Sequence, residues 1–258
     1  MIFVQTKEEH PLASIATDIA KTLFTDEDQA SEFVSKLAKL ASQSKYTNYH
    51  GLVCDQAKAV YALSSEDKKS TTCAQVASLA LFCATQSAEE AEVTSAGLIP
   101  STAQFITNNP NLKTEVKFKQ LIQLYNTFDA RSHLRFFAFR ELLNFSESAK
   151  CSQHLSPILS QLDQLAKQWN CTTQESRDLF VQGSKILRSN GEDFAAFTLL
   201  SKYLESFEGT NDKADAEVIK TAVTEAIRLP SVAQLDGFFN FSSVQSLSKS
   251  DASLFELL

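Results

Sequence analysis

Five cysteines (Cys54, Cys73, Cys83, Cys151, Cys171) and four histidines (His10, His50, His133, His154) are the side chains of this chain best suited to hold a metal or attack a substrate. Their spacing argues against both. Cys73 and Cys83, the closest cysteines, stand ten residues apart, whereas zinc sites pair ligands two to four residues apart. The histidines complete no zinc pattern with them. A cysteine working with a distant histidine is the nucleophilic arrangement left open, but Cys54, Cys73 and Cys83 lie on apolar stretches, where a buried, inert thiol is the commoner state. None of the six glycines forms a G-x-G-x-x-G motif or precedes a Lys-Ser/Thr pair, so nucleotide binding by those routes is excluded. Asp26-Glu27-Asp28 suits the first turn of a helix, where negative charge meets the positive end of the dipole. Glu89, Glu90 and Glu92 read as a solvated stretch and not as paired catalytic carboxylates. The expectation is a chain with no catalytic, cofactor-binding or metal-binding residues, acting by holding other proteins.

Charge and composition narrow the partners. The 258 residues carry a net charge of -7, and nucleic-acid binders usually show a basic footprint instead. Arg131, Arg135 and Arg140, with Lys113 and Lys117 before them, form a local strip that either faces RNA or is a solvated helix face. The overall acidity favours the second reading. The first twelve residues lack a basic region followed by an apolar stretch, and no later run approaches the ~20 apolar residues needed to cross a bilayer. An odd, scattered cysteine set fits a reducing compartment, so a cytoplasmic protein without membrane contact is expected. The sequons at Asn144, Asn170 and Asn240 are then not expected to be glycosylated.

Those properties need elements to carry them, and the elements read as helices. Six Gly and five Pro are few, and the apolar residues, 19 Phe among them, recur at steps of three and four. Leu155, Ile158, Leu159, Leu162, Leu165, Ala166 and Trp169 predict one amphipathic helix from Ser152 to Trp169. Thr172 and Glu175 have the spacing of a capping box, opening a helix that Asn190-Gly191 closes. Phe194, Phe197, Leu200, Leu204 and Phe207 make the next stripe. Asn211-Asp212 opens a helix carrying Ile219, Ala222, Val223, Ala226 and Ile227, and Pro230 stops it. Upstream, Asn111 and Asp129 open helices through Tyr125 and Phe145. Further back, Asp26-Glu27-Asp28 precedes Phe33, Val34, Leu37 and Leu40, and Ser64 to Asp67 precede Val76, Leu79, Ala80 and Cys83. Stretches 87–100 and 107–110 read as loops. Helix starts about 20 residues apart imply paired units of ~40 residues, within the range of helical-pair repeats. The fold expected is an all-α solenoid of stacked antiparallel helix pairs, with 1–110 as an N-terminal helical region and 111–258 as the repeats.

Two stretches of the sequence carry a family resemblance. Val116-Lys-Phe-Lys-Gln-Leu-Ile-Gln-Leu-Tyr-Asn-Thr-Phe, then Leu134-Arg-Phe-Phe-Ala-Phe-Arg-Glu-Leu-Leu, then Gln168-Trp-Asn-Cys-Thr-Thr-Gln-Glu with Leu179-Phe180, resemble the M-subunit family of eukaryotic translation initiation factor 3. Asp215 to Phe239, with Ala226-Ile-Arg-Leu-Pro and Phe238-Phe239, is similar to the stretch that leads into that family's PCI module. The resemblance implies PCI-type helical repeats and a scaffold subunit of the initiation factor 3 complex. Its partners would be the other subunits and, through the complex, the small ribosomal subunit in messenger RNA recruitment. Related PCI scaffolds, the cullin-deneddylating signalosome and the proteasome lid, are the alternative. It supplies no catalytic residue. Family members continue into a winged helix, and this chain stops at Leu258, so a truncated form is expected. Its apolar tail (Phe238, Phe239, Phe241, Val244, Leu247, Leu254, Phe255, Leu257, Leu258) would form an exposed patch. Phe238, Phe239, Phe241, Leu254, Phe255 and Leu257 are the candidate protein-interaction residues.

Overall fold

A computed structural model describes residues 16, 17, 19–21, 24–43, 45–63, 79, 83, 97–110, 112–229, 236–250, 255 and 256. The chain divides into two compact units, Met1–Phe145 and Ser146–Leu258. Among the described residues the regular structure is all helical, as the three-and-four spacing predicts, and neighbouring helices pack against one another within each unit.

The first unit contains α1 (Glu27–Ser42), α2 (Tyr46–Leu63), α3 (Leu98–Thr107), α4 (Thr114–Thr127) and most of α5 (His133–Ser148). Asp26 caps α1 by accepting from the Asp28 N–H at 3.0 Å, and Phe33 and Leu37 are buried. α2 buries Tyr49, Val53 and Cys54, while α3 is buried on nearly every side through Leu98, Ile99, Ala103, Phe105 and Ile106. Leu79 and Cys83 are helical and fully buried as expected, whereas the neighbouring residues 64–78 and 80–82 lie outside the described residues.

Three expected boundaries shift in this unit. The loop read over 87–100 ends earlier: α3 begins at Leu98, and Pro100 sits in its first turn, where its missing N–H costs nothing. The helix read from Asn111 begins at Thr114 with Lys113 at its N-cap, and Asn111 lies outside the described residues. Asp129 does not cap α5. Its carboxylate closes a turn with the Arg131 N–H at 2.9 Å, and Ser132 Oγ accepts from the Leu134 N–H at the helix start.

The second unit is ordered by its turns. A 3-10 turn (Ser152–Leu155), α6 (Ser156–Leu159) and α7 (Leu162–Gln168) precede α8 (Thr173–Ser189), α9 (Asp193–Glu205) and α10 (Ala216–Arg228), with short helical pieces α11 (Asp236–Phe239), α12 (Ser242–Gln245) and α13 (Leu247–Ser250) after them. The single helix read from Ser152 to Trp169 is therefore broken twice. Pro157 has no N–H with which to continue the ladder from the 3-10 turn. Ser160 and Gln161 then bond back to Ser156 and Ile158, ending α6. The apolar stripe survives the breaks: Leu155, Leu159, Leu162, Ala166 and Trp169 are buried and Ile158 and Leu165 half-buried.

Three helices end on the same motif. After α5, α7 and α8 the residues Lys150, Asn170 and Gly191 adopt φ of 54°, 52° and 81°. The next N–H in each case reaches back five residues, Cys151 to Ser146, Cys171 to Ala166 and Glu192 to Leu187, at 2.9–3.0 Å. This double-bonded left-handed cap satisfies carbonyls the helix end leaves open. The capping box at Thr172 and Glu175 forms as read. α8, α9 and α10 then pack side by side, and Gly183 is the point of closest approach. A Cβ there would lie 2.6 Å from Leu162 Cδ1 and 3.0 Å from Leu199 Cδ1, so a larger residue would require the leucines of α7 and α9 to shift.

Candidate protein-interaction surface

The expected apolar patch is partly core. Phe238 is 6% exposed, its ring 5.3 Å from that of Phe197, and Val244 and Leu247 are fully buried. Phe239, Phe241 and Phe255 are half-buried, while Leu254 and Leu257 lie outside the described residues. The tail is held to the loop after α9 by polar contacts as well: the Ser242 N–H and hydroxyl both donate to Glu208 Oε1, at 2.8 and 2.9 Å.

Exposed apolar side chains occur elsewhere. Phe194 is 56% and Ile227 41% exposed, although both belong to expected core stripes. The reason is angular. The buried face of α9 (Ala196, Phe197, Leu199, Leu200, Tyr203, Leu204) centres roughly 140° around the helix from Phe194, so stepping three residues from Phe194 to Phe197 crosses the edge of the face. Ile227 sits on the flank of α10 by the same geometry.

The basic strip is largely engaged within the protein. Lys117 Nζ donates to the Thr107 carbonyl at 2.8 Å, and its burial lowers the ammonium's affinity for its proton. Arg135 lies 4.3 Å from the centre of the Tyr125 ring and donates to Asn126 Oδ1. Arg140 lies over the Phe136 and Phe137 rings and beside Glu141. Lys117 thus ties α4 to the end of α3, Arg135 ties α5 to α4, and Arg140 stays on α5 itself, each ring contact being of a kind that stabilises by ~0.5–1 kcal/mol.

Among the described residues the thiols are sealed or suppressed, and Cys73 lies outside them. Burial pushes the Cys83 thiol up to about 12. Burial, with the Glu175 carboxylate adding to it, does the same at Cys171, and burial raises Cys151. At neutral pH these groups are protonated and poor nucleophiles. Cys54 packs against His50 on the same helix, Sγ 3.6 Å from Nδ1. Thr102 of α3 gives its hydroxyl proton to the Leu98 carbonyl at 2.6 Å. Its oxygen is then left to accept from His50 Nε2 at 3.0 Å. The histidine is a strut between α2 and α3.

What the residue pattern did not single out is α8's outer face. Arg177 is 4% exposed, yet it donates to Ser206 Oγ (2.9 Å), the Ser206 carbonyl (2.8 Å) and Asp212 Oδ2 (2.7 Å), with its guanidinium 3.6 Å from the centre of the Phe207 ring. Asp212, read as a helix opener, is instead this arginine's partner, and Asp215 caps α10 by accepting from the Glu217 N–H at 2.8 Å. Beside this cluster opens a cavity of about 810 Å³, floored by Gln174, Asp178, Val181, Gln182 and Lys185 of α8. A second cavity of about 560 Å³ shares Glu147 and Lys185 with the first and continues past Lys150 to Ser189, so the two form one groove along the helix. The signal was present in the sequence as polar residues at helical spacing, but solvated faces show the same spacing.

Fold and surface together define a class of protein: an all-α chain of packed amphipathic helices with inert thiols and a long polar groove. Among the described residues no His, Cys, Asp and Glu cluster could hold a metal ion, and no helix is long and apolar enough to cross a membrane. No protein-family model matches the chain. Curated relatives do. The chain is similar to eukaryotic translation initiation factor 3 subunit M of Phaeosphaeria nodorum, 25% identical over 155 residues that make up 59% of this chain and 35% of that protein. It is likewise similar to proteins of the same name from Dictyostelium discoideum (24% identity, 57% of this chain, 37% of the relative) and Pyricularia oryzae (22%, 59% and 37%). The resemblance read from the residues is thus borne out. The chain spans about a third of the length of the curated relatives it matches.

Proposed function

We propose that this chain works as a non-catalytic scaffold subunit of eukaryotic translation initiation factor 3 in the cytoplasm. In this role it helps the complex engage the small ribosomal subunit and recruit messenger RNA, with residues 1–110 as an N-terminal helical region and 111–258 as repeats leading toward a PCI module. The observation that carries this reading is the similarity to three relatives, all named as the M subunit of that factor. Paired amphipathic helices suit the role because such elements bury shared faces and leave extended surfaces for neighbours. The half-buried Phe239, Phe241 and Phe255 are proposed, with Leu254 and Leu257, to contact neighbouring subunits, Phe238 being core.

The test is sedimentation. A tagged chain expressed in eukaryotic cells should co-migrate with small ribosomal subunits on a sucrose gradient, and mass spectrometry of that fraction should return other initiation factor 3 subunits. Migration as a free protein, or with the subunits of a different complex, would refute the proposal.

A further inference from the structure

We propose that the groove along α8 binds one α-helix of a partner protein, lying antiparallel to α8, acidic in its first turn and basic in its last. The proposal deepens the scaffold reading by giving the partner a chemistry, and rests on that reading only in taking the occupant to be protein.

Length comes first. The groove floor runs from Gln174 to Ser189 on one face of α8, about 22 Å at 1.5 Å per residue, the length of a helix of about 15 residues. Its apolar lining comes from Val181, Val218, Tyr203 and Phe207, and its two ends are oppositely charged. Toward the N-terminal end of α8 stand Asp178, Asp212 and Asp215, answered by Arg177 and Lys213. Toward the C-terminal end stand Lys150 and Lys185, answered by Glu147. One net negative charge remains at the first end and one net positive charge at the second.

Helices carry charge with a direction. Carboxylates are favoured in a helix's first turn and lysine or arginine in its last, because of the backbone dipole. An antiparallel occupant sets its first turn over Lys150 and Lys185 and its last turn over Asp178 and Asp215. The charges its own dipole favours are therefore the charges the groove attracts. A parallel occupant of the same composition meets like charge at both ends. Val181 and Val218 would take the occupant's apolar positions, in the manner of helices that lie in grooves.

The probe is a synthetic, fluorescently labelled 15-residue helical peptide with Glu in the first turn, Lys in the last and Leu at three-and-four spacing between them. A cysteine is placed at its first or its last residue, and Gln174→Cys and Ser189→Cys variants of the protein, both positions being exposed, report its direction by disulfide trapping at low salt. The cysteine on the first residue should be trapped about fivefold more by Ser189→Cys than by Gln174→Cys, the worth of two exposed charge pairs, and the cysteine on the last residue the reverse. Adding Asp178→Lys/Lys185→Glu, both positions being exposed, should invert the preference. The neutral pair Asp178→Asn/Lys185→Gln, which also guards against misfolding of the first, should abolish it. Equal trapping at the two positions, a preference that the charge-inverting pair leaves unchanged, or no trapping at millimolar peptide would overturn the proposal. Loss of the peptide preference while co-sedimentation persists would remove the groove and leave the scaffold reading standing. Retained preference without co-sedimentation would do the reverse.

Discussion

In the first unit the sealed hydroxyls and thiols are uncharged. Thr102 links the His50 ring to the Leu98 carbonyl, and Tyr49 and Cys83 are buried nearby as uncharged hydroxyl and thiol. In the second unit the sealed groups include ions, the Arg177 cation and the Glu225 carboxylate, the latter 3.4 Å from Arg188 Nε. Arg177 is held by Ser206 and Phe207, which surround it, and by Asp212, 62% exposed at its side chain, which reaches in from solvent. Burying a charge is costly unless it is paired and hydrogen-bonded, and the second unit meets that condition with a carboxylate it leaves in water. The two units should therefore fail under different insults: the first when its hydroxyl and thiol groups are forced to ionise, the second when its cation is removed.

The largest effect expected is on the first unit at high pH. Burial holds Cys83 at about 12 in place of 9.0 and raises Tyr49 above 10.0. A folded-state pKa above the unfolded one means that stability is full below pH 9 and is lost as pH climbs toward 12. Cys83 alone accounts for roughly 2–3 kcal/mol by pH 11. Urea unfolding at pH 8 and pH 11 separates the units, because Trp169 is the sole tryptophan and is fully buried in the second. The far-UV transition should move to lower urea further than the tryptophan-fluorescence transition does. Cys171 is also raised, but it is half-exposed, so its share is smaller. Equal shifts of the two signals would erase the contrast. Next in size, Arg177→Ala should cost about 3 kcal/mol, near the lower bound for breaking a buried pair because the partner left behind is solvated. It is read from the tryptophan transition. The smallest effect is Asp212→Asn, below about 1 kcal/mol and vanishing in molar salt. A cost equal to that of Arg177→Ala would mean that the carboxylate, and not Ser206 and Phe207, holds the arginine in place.

Legibility followed the range of the interaction. The capping box at Thr172, the glycine end of α8, and Ile219, Ala222, Val223 and Ala226 of the α10 stripe were all readable, because each depends on residues within a few positions of one another. Starts assigned to Asp129 and Asp212 were misplaced because either aspartate can cap a helix locally. What decided the matter for Asp212 was Arg177, 35 residues away. Phe194 was misread for a different reason: three-residue steps drift around a helix, so a stripe can begin outside the face it later occupies. The groove on α8 was the least legible feature. Its walls come from the end of α5 and from the stretch between α9 and α10, and neither leaves a mark on the sequence of α8 itself.

The left-handed caps after α5, α7 and α8 bear on how sequences of this kind can drift. The motif tolerates a lysine, an asparagine or a glycine at its pivot, so composition there is loosely constrained. Residue count is not, for each added residue would rotate the following helix by about 100° about its axis. A single insertion between Asn190 and Asp193 would turn the apolar side of α9 away from Gly183 and toward water. Substitutions should accumulate in these short connections while their lengths stay fixed, and related chains should align across them without gaps.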